Sequence, residues 1–138
     1  MTRKISDVMP QRAAVALPPG ASARDAAETM CRENVGSVLV IESERLEGIF
    51  TERDVLCRVI AQGRDPAATP LSEVMTAGPD TISLEDMAIN GLQKMHDGGY
   101  RHLPVVVDGR IVGVLSRRDF GWLDEARLEE ETQIWERI

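Results

Sequence analysis

The hydrophobic positions of this chain follow a helical and then a strand-like period, and the same order occurs twice. Small or apolar residues at 23, 26, 27 and 30 have the spacing of one helix face, and positions 88, 91, 92 and 95 repeat it. The β-branched runs VLVI (38–41) and LPVVV (103–107) follow, each joined by a short polar turn to a second apolar run. Each half therefore predicts a helix and then two antiparallel strands.

The two halves are copies of one unit. Sliding the chain along itself without gaps until Ala23 meets Ala88 aligns seven identical pairs: Ala23/Ala88, Met30/Met95, Val40/Val105, Arg45/Arg110, Gly48/Gly113, Arg53/Arg118 and Asp54/Asp119. Sliding it one position further aligns DVM (7–9) with EVM (73–75). We therefore expect a first copy at 1–66, a second at 67–124, and a helical extension at 125–138.

The order of elements predicts an α+β fold. Apolar segments near 15–17 and 81–82 can add an edge strand to each copy, and a helix follows each second strand. The segment 61–70, rich in helix breakers, separates the copies. Neither copy alone buries a large core, so two βαββα units are expected to pack about a pseudo-twofold axis.

Composition narrows the function. The net charge of -7 over 138 residues argues against a nucleic-acid partner, which requires a basic surface. No apolar run approaches the ~20 residues that span a bilayer, and the first ten residues lack a signal-peptide core, so we expect a cytoplasmic protein with no membrane partner. Cys31 and Cys57 stand outside any metal-ligand spacing, so we expect buried or half-buried free thiols.

The motifs GIFTERD (48–54) and GVLSRRD (113–119) place a hydroxyl three residues before a carboxylate where a strand turns into a helix. One interpretation is a capping box that serves only the helix start. The other is a nucleotide site, because a helix start beside an arginine suits phosphate and a carboxylate suits a ribose diol. The glycine in each motif would leave room for a ligand. The sequence leaves both open.

The repeated pattern of VM, an amphipathic helix, LPVV and a glycine-to-aspartate motif resembles a pair of CBS domains, the repeat named after cystathionine beta-synthase. The resemblance covers 4–123 and implies clefts that bind adenosine-containing ligands. It assigns ribose and phosphate contacts to Thr51, Asp54, Ser116 and Asp119, and phosphate contacts to the basic residues just before the second LPVV strand, Arg101 and His102. Arg117 and Arg118, inside the second motif, are phosphate candidates because they lie beside its helix start. Because the first copy has Gly36 and Ser37 where the second has Arg101 and His102, we expect unequal clefts, with tighter binding at Asp119.

The function implied is a regulatory module without catalysis. It would bind AMP, ADP or ATP, or else S-adenosylmethionine or NAD, and would act through dimer geometry or a separate target protein. Apolar residues in the acidic tail favour a homodimer: Leu128, Ile134, Trp135 and Ile138. A structural dimerisation module with degenerate clefts is the main alternative. An enzyme is less favoured, because the sequence lacks a Ser/His/Asp set, zinc-ligand spacing and a phosphate-binding glycine loop.

Overall fold

The computed structural model, which describes residues 3–10 and 14–121, contains two β-sheets. The strands are β1 (Ala16–Leu17), β2 (Ser37–Glu42), β3 (Arg45–Thr51), β4 (Thr76–Ala77), β5 (Ile82–Ser83), β6 (His102–Val107) and β7 (Arg110–Ser116). The strand order is β1-β2-β3-β4 in one sheet and β5-β6-β7 in the other, so the first sheet also includes a short strand of the second copy. The α-helices are α1 (Ile5–Val8), α2 (Ala23–Glu33), α3 (Glu52–Asp54), α4 (Leu71–Val74) and α5 (Ala88–Gly98). A π-helix (Val55–Ile60) follows α3, and 3-10 turns cover Pro66–Ala68 and Arg117–Phe120.

The two sheets share one pairing register. Strands β2 and β3 pair antiparallel with Ser37 opposite Thr51, and β6 and β7 pair with His102 opposite Ser116. Both hairpins shift register at the same place, after Val40 and after Val105, and every residue pair of one hairpin has its counterpart in the other. The edge strands β1 and β5 run parallel to β2 and β6. The α+β class, the hairpins and the edge strands predicted from the sequence are confirmed.

Local sequence explains where these elements turn and end. Both hairpins have two-residue turns with positive φ, at Ser43 and Glu44 (50° and 65°) and at Asp108 and Gly109 (49° and 77°). Such turns match the twist of the paired strands. Helix α5 ends at Gly99, whose φ of 69° is left-handed, a conformation that glycine adopts without strain. Local residues therefore specify where the two hairpins turn and where α5 ends.

The short helix α1 packs on the second copy although it belongs to the first. The N–H of Ile5 donates to the carbonyl of Asp86 at 2.8 Å, and the N–H of Ser6 donates to that of Leu84 at 3.0 Å. The Ile5 side chain is fully buried in the core of the second copy.

The short helix α4 makes the reciprocal contact with the first copy. The N–H of Leu71 donates to Ala21 O at 2.9 Å, and that of Ser72 donates to Pro19 O at 3.0 Å. Donors and acceptors alike occupy the positions of the repeat that are equivalent to those of the α1 contact. Because each copy holds the other's short helix in the same way, the two copies are related by a pseudo-twofold exchange. The domain boundary at 66/67 stays a prediction, and the packing crosses it.

The exchange produces two separate cores. One contains Ile5, Ile82, Ala88, Leu92, Met95, Leu103, Val105, Leu115 and Phe120. The other contains Ala23, Ala26, Met30, Val38, Val40, Phe50, Val59, Leu71 and Val74. Burial of aliphatic side chains, together with Phe50 and Phe120, dominates the stability of both.

One expectation from the sequence was wrong, and others concern residues outside the described part of the chain. Cys31 and Cys57 are free but exposed, so the prediction of buried or half-buried thiols was wrong. The extension 125–138 and the apolar tail residues lie outside the described residues. Within 3–10 and 14–121, no helix is long and apolar enough to cross a membrane, and no group of three or more His, Cys, Asp or Glu residues is placed to hold a metal ion.

Candidate functional site

The first motif forms a capping box at the start of α3. Oδ2 of Asp54 accepts from the Thr51 N–H at 2.9 Å and from its hydroxyl at 3.1 Å, and the Asp54 N–H donates to Thr51 Oγ1 at 3.3 Å. Oδ1 of Asp54 lies 3.4 Å from Nε of Arg58. A carboxylate oxygen can accept two hydrogen bonds, so the contacts of the described residues leave Oδ1 capacity for a ligand hydroxyl. The cap and a nucleotide contact are therefore compatible.

The second motif forms the same cap with a different neighbourhood. Oδ2 of Asp119 accepts from the Ser116 N–H at 2.7 Å. The position equivalent to Arg58 is residue 123, a leucine. The second copy therefore has no arginine at the position of Arg58.

A large cleft opens beside the first motif, with a volume of about 900 Å³. Ligand-binding clefts typically measure about 300 to 1,000 Å³. Three walls line this first cleft: the motif with its helix, the segment joining β4 to β5, and the loop between α5 and β6. The lining residues are Ile49, Thr51, Glu52, Arg53, Asp54, Leu56, Arg58, Thr76, Gly78, Pro79, Asp80, Gly98, Gly99, Tyr100, Arg101 and His102.

A second cleft beside Ser116 is far smaller, about 30 Å³. Its lining residues are Ala14, Val15, Val35, Gly36, Ser37, His102, Val114, Ser116 and Arg118. Among the described residues, the first cleft is therefore the one whose volume lies in the range of ligand-binding sites.

The structure regroups the residues that the sequence assigned to the second cleft. Arg101 and His102 line the first cleft together with Thr51 and Asp54, and His102 also lines the second. Ser116 and Arg118 line the second cleft, whereas Arg117 and Asp119 line neither. Arg101 keeps a link to the second motif only through its carbonyl, which accepts from the Arg117 N–H at 2.8 Å. Phosphate-binding and ribose-binding candidates therefore meet at Asp54, across the two copies.

The glycine that opens each motif makes room for a methionine. A Cβ at Gly48 would collide with the Met75 sulfur and lie 2.8 Å from the Thr76 carbonyl oxygen. A Cβ at Gly113 would collide in the same way with the Met9 side chain. The expectation that these glycines leave space for a ligand was wrong: they admit the methionine that follows each exchanged helix.

His102 lies at the junction of the two clefts. A Cβ at Gly36 would stand 2.9 Å from His102 Nε2 and 3.1 Å from Glu52 Oε1, so only glycine fits there without a shift. Burial lowers the pKa of His102 below its usual 6.5, and Arg118 and Arg101 act in the same direction. Glu52 and Asp119 oppose that shift. The ring is therefore held in its neutral form at pH 7.

We expect the lowered pKa of His102 to make the fold less stable in mild acid. Between its folded pKa and 6.5 the unfolded chain binds more protons, so the free energy of unfolding rises with pH through that window and is lost as pH falls. The melting temperature should therefore fall more steeply between pH 7.5 and pH 5.5 for wild type than for His102→Asn. His96→Asn, which changes the exposed histidine of α5, is the control and should follow wild type. Parallel curves for wild type and His102→Asn would contradict this prediction.

Tyr100 connects two walls of the first cleft. Its hydroxyl donates to Asp80 Oδ2 at 2.7 Å, which joins the α5–β6 loop to the segment between β4 and β5. Partial burial and the Asp80 carboxylate both raise the pKa of Tyr100 above its usual value, so the phenol stays protonated and remains a donor. Its ring packs against Gly98, where a Cβ would collide with it.

Sequence reasoning missed several residues of this cleft. Arg58 could have been found, because an arginine four residues after an aspartate is the spacing of an ion pair on one helix face. Glu52 and Asp80 had no such signal, since their places depend on folding. Together the lining carries three arginines, at 53, 58 and 101, and three carboxylates, at 52, 54 and 80, so its charge is nearly balanced.

The family-level comparison agrees with this architecture. The CBS domain model matches the chain twice, at residues 5–60 and 71–120. The chain therefore belongs to the CBS-domain family and contains a tandem pair of the repeat.

Individual relatives share the same pair. The chain is 36% identical over 119 residues to the CBS domain-containing protein YhcV of Bacillus subtilis, covering 83% of this chain and 81% of that protein. It is 40% identical over 104 residues to CBSCBSPB3 of Arabidopsis thaliana, covering 75% of this chain but only 19% of that longer relative. CBS domain protein PAE2072 from Pyrobaculum aerophilum, solved in complex with AMP, superposes with a TM-score of 0.78 at 30% identity, covering 85% and 89% of the two chains.

Proposed function

We propose that this protein is a regulatory module that binds an adenine nucleotide in the first cleft. The observation that carries the proposal is that Asp54 and Arg101, from different copies, line one cleft of about 900 Å³. Asp54 would accept from the ribose diol, and Arg101, with His102 beside it, would face the phosphate. The relative that was solved with AMP supports this ligand class.

The balanced charge of the lining does not favour a ligand of high charge. With as many carboxylates as arginines, the first cleft has no net positive charge to prefer a triphosphate over a monophosphate. Within the adenosine class, we propose AMP ahead of ADP and ATP, with S-adenosylmethionine and NAD as further candidates.

Ligand binding would change either the assembly of the protein or its contact with a partner protein. Three large apolar side chains stand exposed on the helices, Leu56 at 62%, Ile60 at 57% and Ile89 at 54%. Leu56 also lines the first cleft, so a ligand there would touch the same helix that presents Ile60. We propose a homodimer that covers these side chains, with an unidentified target protein as the alternative route. The cytoplasmic location expected from the sequence stays a prediction.

The structural dimerisation module remains the second candidate. It is favoured by the two capping boxes, which give both carboxylates a role in the fold, and by the small volume of the second cleft. Catalysis is not proposed.

Calorimetric titration of the full chain with AMP, ATP and GMP tests the proposal. We expect AMP to bind with a dissociation constant below about 1 mM, more tightly than ATP or GMP, and at about one molecule per chain because one cleft is open. Light scattering of the same samples, with and without AMP, measures assembly. Absence of binding by every adenosine compound would favour the structural module, and a monomeric mass in both states would exclude the homodimer.

A further inference from the structure

Arg58 contacts the first motif and the end of α4, the segment that leads into the β4 wall of the first cleft. Its Nε lies 3.4 Å from Asp54 Oδ1, on the motif wall. Its Nη1 donates to the Met75 carbonyl at 2.8 Å and to the Val74 carbonyl at 3.3 Å, at the end of α4. One guanidinium thus connects the ribose-binding candidate to a segment 16 to 17 residues away in sequence.

The hydrogen bonds of Arg58 to Val74 and Met75 lie just before the wall that begins with β4. Met75 is followed directly by β4, whose continuation through Gly78 and Asp80 lines the cleft. Strand β4 is short, and its pairing with β3 consists of two residue pairs, Gly48 with Ala77 and Ile49 with Thr76. Because two residue pairs hold β4 only weakly, contacts outside the sheet also help to position it. The hydrogen bonds of Arg58 to the Val74 and Met75 carbonyls are among these contacts.

The planar guanidinium is suited to this double role. Its donors are held in a rigid fork, it stays charged at any ordinary pH, and it can serve an anion and a carbonyl at once. The Asp54 side chain is only 13% exposed, whereas that of Arg58 is 48% exposed. The carboxylate is thus mostly buried, and its ion pair with Arg58 restricts how it can turn.

We propose that Arg58 is a positioning residue for ligand recognition in the first cleft. It holds Oδ1 of Asp54 toward the ribose and keeps the β4 wall at a constant separation from the motif. The inference rests on the proposed nucleotide function and adds to it a reason for cleft asymmetry. In the second copy the equivalent position, residue 123, is a leucine, which has no donor.

The test separates positioning from direct phosphate contact. Adenosine, AMP and 2′-deoxy-AMP are titrated into wild type, Arg58→Met, Arg58→Lys and a control. Because Arg58 acts through Asp54 on the diol, Arg58→Met should weaken adenosine and AMP alike, by about threefold to tenfold, the effect of one ordinary hydrogen bond. The preference for AMP over 2′-deoxy-AMP should shrink in the same variant. Arg58→Lys should give an intermediate effect, since one ammonium keeps the charge but not the fork.

Arg24→Met is the matched control. Arg24 also forms an exposed i,i+4 ion pair, with Nε 3.0 Å from Glu28 Oε1, and does not line the first cleft. It should bind all three ligands as wild type does. Circular dichroism confirms folding, and Arg58→Lys keeps the test decisive if Arg58→Met unfolds.

Each outcome identifies which idea fails. If only AMP weakens and the diol preference is unchanged, Arg58 contacts phosphate and the positioning role is excluded. If wild type binds AMP and both Arg58 variants match it, the inference fails while the proposed function stands. If wild type binds none of the three, both fail together.

Discussion

Replacing Ile5 by alanine should lower the free energy of unfolding by about 2 to 5 kcal/mol, the usual range for a fully buried aliphatic residue. Ile5 lies in the first sequence copy but is completely buried among the core residues of the second. Its Cδ1 approaches Gly91 of α5 so closely that a Cβ there would be 3.0 Å away. A cavity at this site would loosen the second copy from a position near the start of the chain.

Urea denaturation measures this effect, and the pseudo-symmetry supplies its partner. Leu71→Ala, at the equivalent position of the other exchanged helix and equally buried in the first core, should cost a similar amount. Ser6→Ala leaves the backbone bond of the exposed Ser6 intact and should change stability by less than about 0.5 kcal/mol. An Ile5→Ala variant as stable as Ser6→Ala would show that α1 does not dock on the second core.

Asp54→Ala should weaken AMP binding by about tenfold to a hundredfold, whereas Asp119→Ala should have little effect. The loss of hydrogen bonds to a charged acceptor is worth about 1.5 to 3 kcal/mol. Asp54 lines the open cleft with Arg101, whereas Asp119 lines neither cleft. This is the reverse of the order that the sequence alone predicted.

The two variants control for each other, because both carboxylates cap a helix. Oδ2 of Asp54 and Oδ2 of Asp119 each accept the N–H of the residue three positions earlier, at 2.9 Å and 2.7 Å. Removing either should therefore cost a similar amount of stability, typically about 0.5 to 2 kcal/mol. Calorimetry at fixed salt gives the affinities. A loss of binding with Asp119→Ala alone would restore the sequence-based order, and normal binding by both folded variants would leave the carboxylates as caps only.

Local features of the fold were predictable because each depends on residues close together in sequence. The hairpins follow from β-branched runs joined by two-residue turns, and α2 and α5 follow from apolar residues at helical spacing. The capping boxes follow from Thr51 with Asp54 and from Ser116 with Asp119, three residues apart.

The ligand-binding residues stay a prediction, because their grouping depends on long-range contacts. Arg101 and the second motif, which belong to one sequence copy, were expected to serve one cleft, but the walls of each cleft come from both copies. The role of Gly48 was also misjudged, since the atom that fills its space belongs to Met75, on a distant part of the chain. No periodic pattern records such a contact.

By itself, the sequence determined the repeated unit, its antiparallel strand pairs and the two hydroxyl–carboxylate motifs, since hydrogen bonding and side-chain alternation within a short segment specify them. Only the tertiary structure decided that α1 and α4 change places, that Arg101 lines the same cleft as Asp54, and that this cleft is the larger of the two among the described residues. The two copies offer equivalent docking surfaces to α1 and α4, so a sequence pattern cannot show which helix docks on which copy. The choice between them depends on packing the whole molecule at once, because the free energy of burying Ile5 or Leu71 is gained only when both copies are in place.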